Sequence, residues 1–162
     1  MAAGRTYTPI GTTTLSTASS TVTFNSISGE YTDLVYIIYN KSGGTNSKLR
    51  FNSDSGSNYS ATQMYADGTN TASLRQSNQT RALSGVIQND GMVVGHIMNY
   101  SNTTTYKTLI TRGGAGGGTY LDAVVALWRS TSAITSISFT QDDGATDFAA
   151  GSTFTLYGIA AA

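Results

Sequence analysis

Leu34-Val35-Tyr36-Ile37-Ile38-Tyr39 is apolar at six consecutive positions and built from aliphatic and aromatic residues. Successive side chains on a strand point to opposite faces. Leu34, Tyr36 and Ile38 therefore share one face, and Val35, Ile37 and Tyr39 the other. The run lies between a turn at Ser28-Gly29-Glu30 and a loop from Lys41 to Ser47 that holds Gly43-Gly44. It reads as a central strand that is apolar on both sides. Two further segments repeat the pattern. In Met92 to Met98, Val93 and Ile97 oppose Val94 and Met98; in Ala123 to Trp128, Val125 and Leu127 oppose Val124 and Trp128. A two-sheet sandwich hides one face of each strand, so the second face needs a cover. A long loop, another subunit or a partner would serve.

Outward from these segments the chain alternates short apolar runs with turns. Thr21-Val22-Thr23-Phe24-Asn25 and Lys48-Leu49-Arg50-Phe51 are half-buried strands by their period of two. Tyr59 to Tyr65, Ala72 to Ser77, Ile134 to Thr140 and Phe154 to Ile159 are strands as well. Met92 to Met98 and Tyr106 to Arg112 form a hairpin across Ser101 to Thr105, with Leu109 in the core. Gln79 to Asn89 fits either a helical turn or a short strand, through Leu83, Val86 and Ile87. The expected fold is all-β: an antiparallel, jelly-roll-like β-sandwich of about eight to ten strands with little or no helix. Residues 1–13, polar and holding the only proline, Pro9, are expected to be an N-terminal arm; 14–162 form a single sandwich domain.

Composition narrows the function. Nine basic residues balance nine acidic ones, and the Lys and Arg are dispersed. Nucleic-acid and anionic-membrane binding rest on accumulated positive charge, so neither partner is expected. No stretch reaches the roughly 20 apolar residues of a membrane helix. Met1-Ala2-Ala3-Gly4-Arg5 runs into polar Thr-rich sequence, so no secretory leader is expected. The chain has no cysteine, which removes disulfides and thiolate metal sites.

The sequence is poor in catalytic groups. Its single histidine, His96, sits mid-strand between Val94 and Met98 and reads as a locally packed or hydrogen-bonded strand residue. Zinc needs three or four protein ligands. A Gly-x-Ser-x-Gly elbow is missing. Glycoside hydrolysis needs two carboxylates facing across a cleft, yet Glu30 is the only Glu, and Asp142, Asp143 and Asp147 cluster in one loop. Gly113-Gly114-Ala115-Gly116-Gly117-Gly118 lacks the Gly-Lys-Ser/Thr ending of a phosphate loop and leads into a strand, so it reads as a flexible connection. The oxygen-rich Asn52 to Asn58 stretch has one carboxylate, Asp54, too few for calcium's usual set. Asn-x-Ser/Thr sequons at Asn58 and Asn99 are expected by chance in so Asn-, Ser- and Thr-rich a chain. No enzyme activity, catalytic residue, metal or cofactor is expected. Ten tyrosines and one tryptophan suit contact surfaces instead.

Several phrases of the chain resemble small structural proteins of tailed bacteriophages. They are Thr6-Tyr7-Thr8-Pro9-Ile10, Arg50-Phe51-Asn52 running into Gly56-Ser57-Asn58-Tyr59-Ser60, His96 to Asn102, Leu127-Trp128-Arg129-Ser130, and Gly151 to Ile159. The resemblance implies a β-sandwich virion protein on the phage particle surface. It implies a capsid decoration (cement) protein that stabilises the head, or else a tail-associated one. The resemblance also implies self-assembly, as a trimer by family analogy, and docking on a major capsid protein or another virion protein. A jelly-roll sandwich with exposed Tyr and Trp and loop Asn and Asp also fits a glycan-recognition module on a tail fibre. In a virus particle the arm, through Arg5, Tyr7 and Pro9, would reach a neighbouring subunit.

Overall fold

The computed structural model describes residues 6–41, 44, 46–88, 90–142 and 146–160. Twelve strands follow in order. They are β1 (Tyr7–Thr14), β2 (Thr21–Phe24), β3 (Asp33–Tyr39), β4 (Asn46–Phe51), β5 (Tyr59–Ala66), β6 (Thr71–Gln79), β7 (Ala82–Val86), β8 (Met92–Met98), β9 (Lys107–Gly114), β10 (Leu121–Trp128), β11 (Ile137–Gln141) and β12 (Thr153–Ile159). An eight-stranded sheet runs β1-β12-β3-β8-β9-β10-β5-β6, and a four-stranded sheet runs β2-β11-β4-β7. Every pairing is antiparallel. The fold is the all-β, jelly-roll-like sandwich expected, without helix among the described residues.

Two strands exceed the expectation. Tyr7–Thr14 is not a free arm: it pairs with β12 along its length, with a register shift between Pro9 and Gly11. Proline has no N–H to give a ladder, and an edge strand tolerates that. The shift leaves Ile10 and Gly11 both on the inner side, Ile10 against the core, which breaks the period of two that marks a strand. Ala82–Val86 is a strand rather than a helical turn, and all five residues are buried. Its own register shift, opposite Ser47 and Lys48, breaks the alternation there too. Gly113 and Gly114 belong to β9, not to a loop. A Cβ on Gly113 would lie 2.7–2.8 Å from Val93, Val86 O and the Asp122 carboxylate, so only glycine fits.

The core lies between the sheets. Phe139 on β11 meets Phe24, Tyr36 and Phe154 at ring-centroid distances of 6.3, 5.0 and 5.8 Å. Tyr59 and Trp128 stack at 6.3 Å beside Phe51. Two buried polar groups of the core are bonded: the Tyr36 hydroxyl to Ser84 Oγ at 2.6 Å, and the Asp122 carboxylate to Gln63 Nε2 at 2.9 Å and Val86 N–H at 3.2 Å. Burial pushes the Asp122 carboxyl above its usual range, offset only in part by these donors.

Asp54 shows the opposite balance. Burial alone would raise its pKa, but donors from Trp128 Nε1, Asn58 Nδ2 and Gly56 N–H, at 2.7, 2.9 and 2.8 Å, outweigh burial and hold the carboxyl low. A depressed carboxyl stabilises the fold above the unfolded pKa of about 3.9 and loses that stabilisation as pH falls toward the folded value. Wild-type unfolding free energy should therefore fall more steeply between about pH 5 and pH 3 than that of Asp54→Asn. Urea titrations across that range check it, and parallel curves would refute it.

Candidate interaction face

Strand register decides which side chains share the outer face of the large sheet. Residues directly opposite in antiparallel strands stand side by side on one face. One row crosses β3, β8, β9, β10 and β5 as Ile37, Val94, Arg112, Ala123 and Met64. The next is Val35, His96, Ile110, Val125 and Thr62, and the row on the other side is Tyr39, Met92, Gly114, Leu121 and Ala66. Eight large hydrophobic residues are exposed among the described residues, and six of them stand on this face: Tyr7, Met64, Met92, Ile110, Leu121 and Val125. Met64 is 67 % exposed, Leu121 60 % and Val125 51 %. Three open depressions lie along the same face.

The second faces singled out in the sequence thus turn outward. Their burial is uneven. Val35 is covered by its neighbours, Ile37, Val94 and Met98 are half-buried, and Val125 is open. The sequence reading missed Ile110, because its two neighbours along the outer side of β9, Thr108 and Arg112, are polar and make that side look solvent-facing.

Tyr7 and Pro9 reach the margin of the face. Both are exposed on β1, and the Tyr7 ring meets Tyr157 edge-on at 6.2 Å. Arg5 lies outside the described residues. His96 bonds through Nε2 to Asp33 Oδ2 at 3.0 Å, and Asp33 Oδ1 accepts the Asn99 N–H at 2.6 Å. The depression at His96 is lined by Tyr7, Val35, Val94, Ile110, Thr111 and Arg112. Thr111 turns its hydroxyl into the interior, so it offers the imidazole no nucleophile.

The other candidates resolve into turns. Asn52 Oδ1 accepts from Thr135 and Ser136 N–H, at 2.8 and 3.1 Å, and Asp54 holds its own loop and Trp128. Asp142 pairs with Lys48 Nζ at 2.6 Å; Asp143 lies outside the described residues. No group of three or more acidic or His side chains could hold a metal among the described residues. Trp128 is only 3 % exposed and cannot stack on an external ring. Tyr65 and Tyr120 stack on each other, 5.4 Å apart and nearly parallel.

No family model matches this sequence, and no curated protein matches it. Among solved structures, the Caenorhabditis elegans galectin LEC-6 is similar at 8 % identity with a TM-score of 0.42, over 98 % of this chain and 99 % of that one. A toad ovary galectin, solved with thio-digalactose, gives 13 % identity and a TM-score of 0.32 over 75 % and 99 %. The PL-14 alginate lyase of Aplysia kurodai gives 10 % and 0.33 over 84 % and 72 %. Likeness this distant transfers neither ligand nor activity.

Proposed function

We propose that this chain is a non-enzymatic structural subunit of a virus particle, a capsid decoration protein that stabilises the assembled head. The observation that carries the reading is the outer face of the large sheet, where six exposed large hydrophobics stand on one side of one sheet. Apolar patches of that kind are rarely left wet. Covering them stabilises by roughly 25 cal/mol per Å² of apolar area removed from water. A subunit that gains this burial by packing against another subunit shifts the equilibrium toward the associated state by mass action. The virus particle enters through the resemblance of the Thr6–Ile10, His96–Asn102 and Gly151–Ile159 phrases to tailed-phage structural proteins.

The glycan-recognition alternative has less support. Sugar sites rely on open aromatic rings and directed polar groups, whereas Trp128 is enclosed and the middle of this face is largely aliphatic. Cryo-electron microscopy of particles that carry the chain tests the assignment. Density repeating over the head lattice is the expected result; density confined to fibre tips would overturn it.

A further inference from the structure

We propose that the cover for this face is a second copy of the chain, packed face to face about a two-fold axis, with Arg112 of each copy against Asp33 of the other. The inference rests on the reading of the chain as an assembly subunit, and it names the partner.

The size of the face suits such a pair. Six strands, β12 to β5, at about 4.8 Å spacing, and six residues at about 3.3 Å each, give about 600 Å² in plan. Side-chain relief raises the accessible area toward the roughly 800 Å² per partner of a stable interface.

Its charges complement themselves. Arg112 stands exposed between Val94 and Ala123, with no hydrogen bond or ion pair among the described residues. Arg75 lies at the β6 margin opposite Thr62. The carboxylates are Asp33, beside His96, and Asp90, at the Tyr39 hydroxyl. Among the described residues these two cations and two carboxylates balance, as the charges of the whole chain do. A cation stranded in an apolar face needs an acid from its cover.

The register supplies one. Arg112 is two strands from Asp33 and four residues further along, and His96 stands midway between them. A two-fold axis lying in the interface over His96, perpendicular to the line joining Asp33 and Arg112, exchanges their positions. Each Arg112 then meets the other copy's Asp33. Such an isologous contact closes at two copies, not at the three implied by family analogy.

Sedimentation equilibrium of the full chain tests this. The expected species has twice the chain mass of 16.9 kDa. Val125→Glu, at an exposed position, should fold and weaken association about a hundredfold, and Arg112→Asp about tenfold. Leu74→Glu, on the opposite side of edge strand β6, should change nothing. A wild-type monomer at 100-fold the concentrations where a micromolar pair would form, a trimer, or a Val125→Glu chain that still pairs would each overturn the proposal. A monomer that nonetheless decorates heads would refute the pairing and leave the assembly role intact; a dimer absent from heads would do the reverse.

Discussion

Replacing Phe139 by alanine is expected to lower the unfolding free energy by about 3–5 kcal/mol, the range for a buried Phe→Ala change. Phe139 is fully enclosed at the middle of the small sheet. Its ring meets Phe24 of its own sheet and Tyr36 and Phe154 of the large one. Truncation removes one of the aromatic contacts that tie the two layers together and leaves a cavity whose aromatic walls cannot close around it. Backbone pairing of Phe24 to Ile137 and of Phe154 to Ile38 holds two of these neighbours, and the Tyr36 hydroxyl bond to Ser84 holds the third. For a domain of this length each kcal/mol shifts Tm by about 2–4 °C, so a drop of roughly 10 °C follows. Phe139→Leu keeps most of the volume and should lose less than half as much. Thermal unfolding at one fixed protein concentration checks both, because self-association makes Tm concentration-dependent. A shift under about 2 °C for Phe139→Ala would mean that the sheets are not bolted at this ring.

Gly95→Ala, the addition of one methyl group, should be nearly as damaging. Gly95 is directly opposite Tyr36 in the β3–β8 pair. A Cβ there would overlap the Tyr36 ring. The ring cannot yield freely. Its hydroxyl bonds Ser84 Oγ at 2.6 Å, and its edge packs on Phe139 at 5.0 Å. Moving it strains the core, by about 1–3 kcal/mol for overpacking. It also strands a buried hydroxyl, adding about 1–3 kcal/mol. Because one ring links both effects, Tyr36→Leu should rescue part of the Gly95→Ala loss even though it is destabilising alone. Additive losses in that double-mutant cycle would refute the clash.

Both sites show how far the sequence could be read. The nearly unbroken apolar runs at Leu34–Tyr39, Met92–Met98 and Ala123–Trp128 marked these strands, and the period of two in side-chain direction divides each run between two faces whatever the tertiary fold. The same pattern exposed the surplus apolar face. Where the period breaks, the reading broke too. The register shift at Pro9 and Gly11 made β1 look like an arm, and the one opposite Ser47 and Lys48 made β7 ambiguous. Nothing in its own strand singles out Gly95, and Gly113 looked like the start of a flexible loop. Their necessity comes from Tyr36 and Asp122, residues far away in the chain.

By itself the sequence determined the class of the fold: short apolar segments with turn chemistry between them leave antiparallel sheets as the way to bury them. It also determined that the strands carry more apolar surface than one interior needs. Tertiary structure alone decided that this surplus lies together. Strand order and register are set by long-range pairing, and only they place Met64, Ile110, Leu121 and Val125 on one outer face with Arg112 among them.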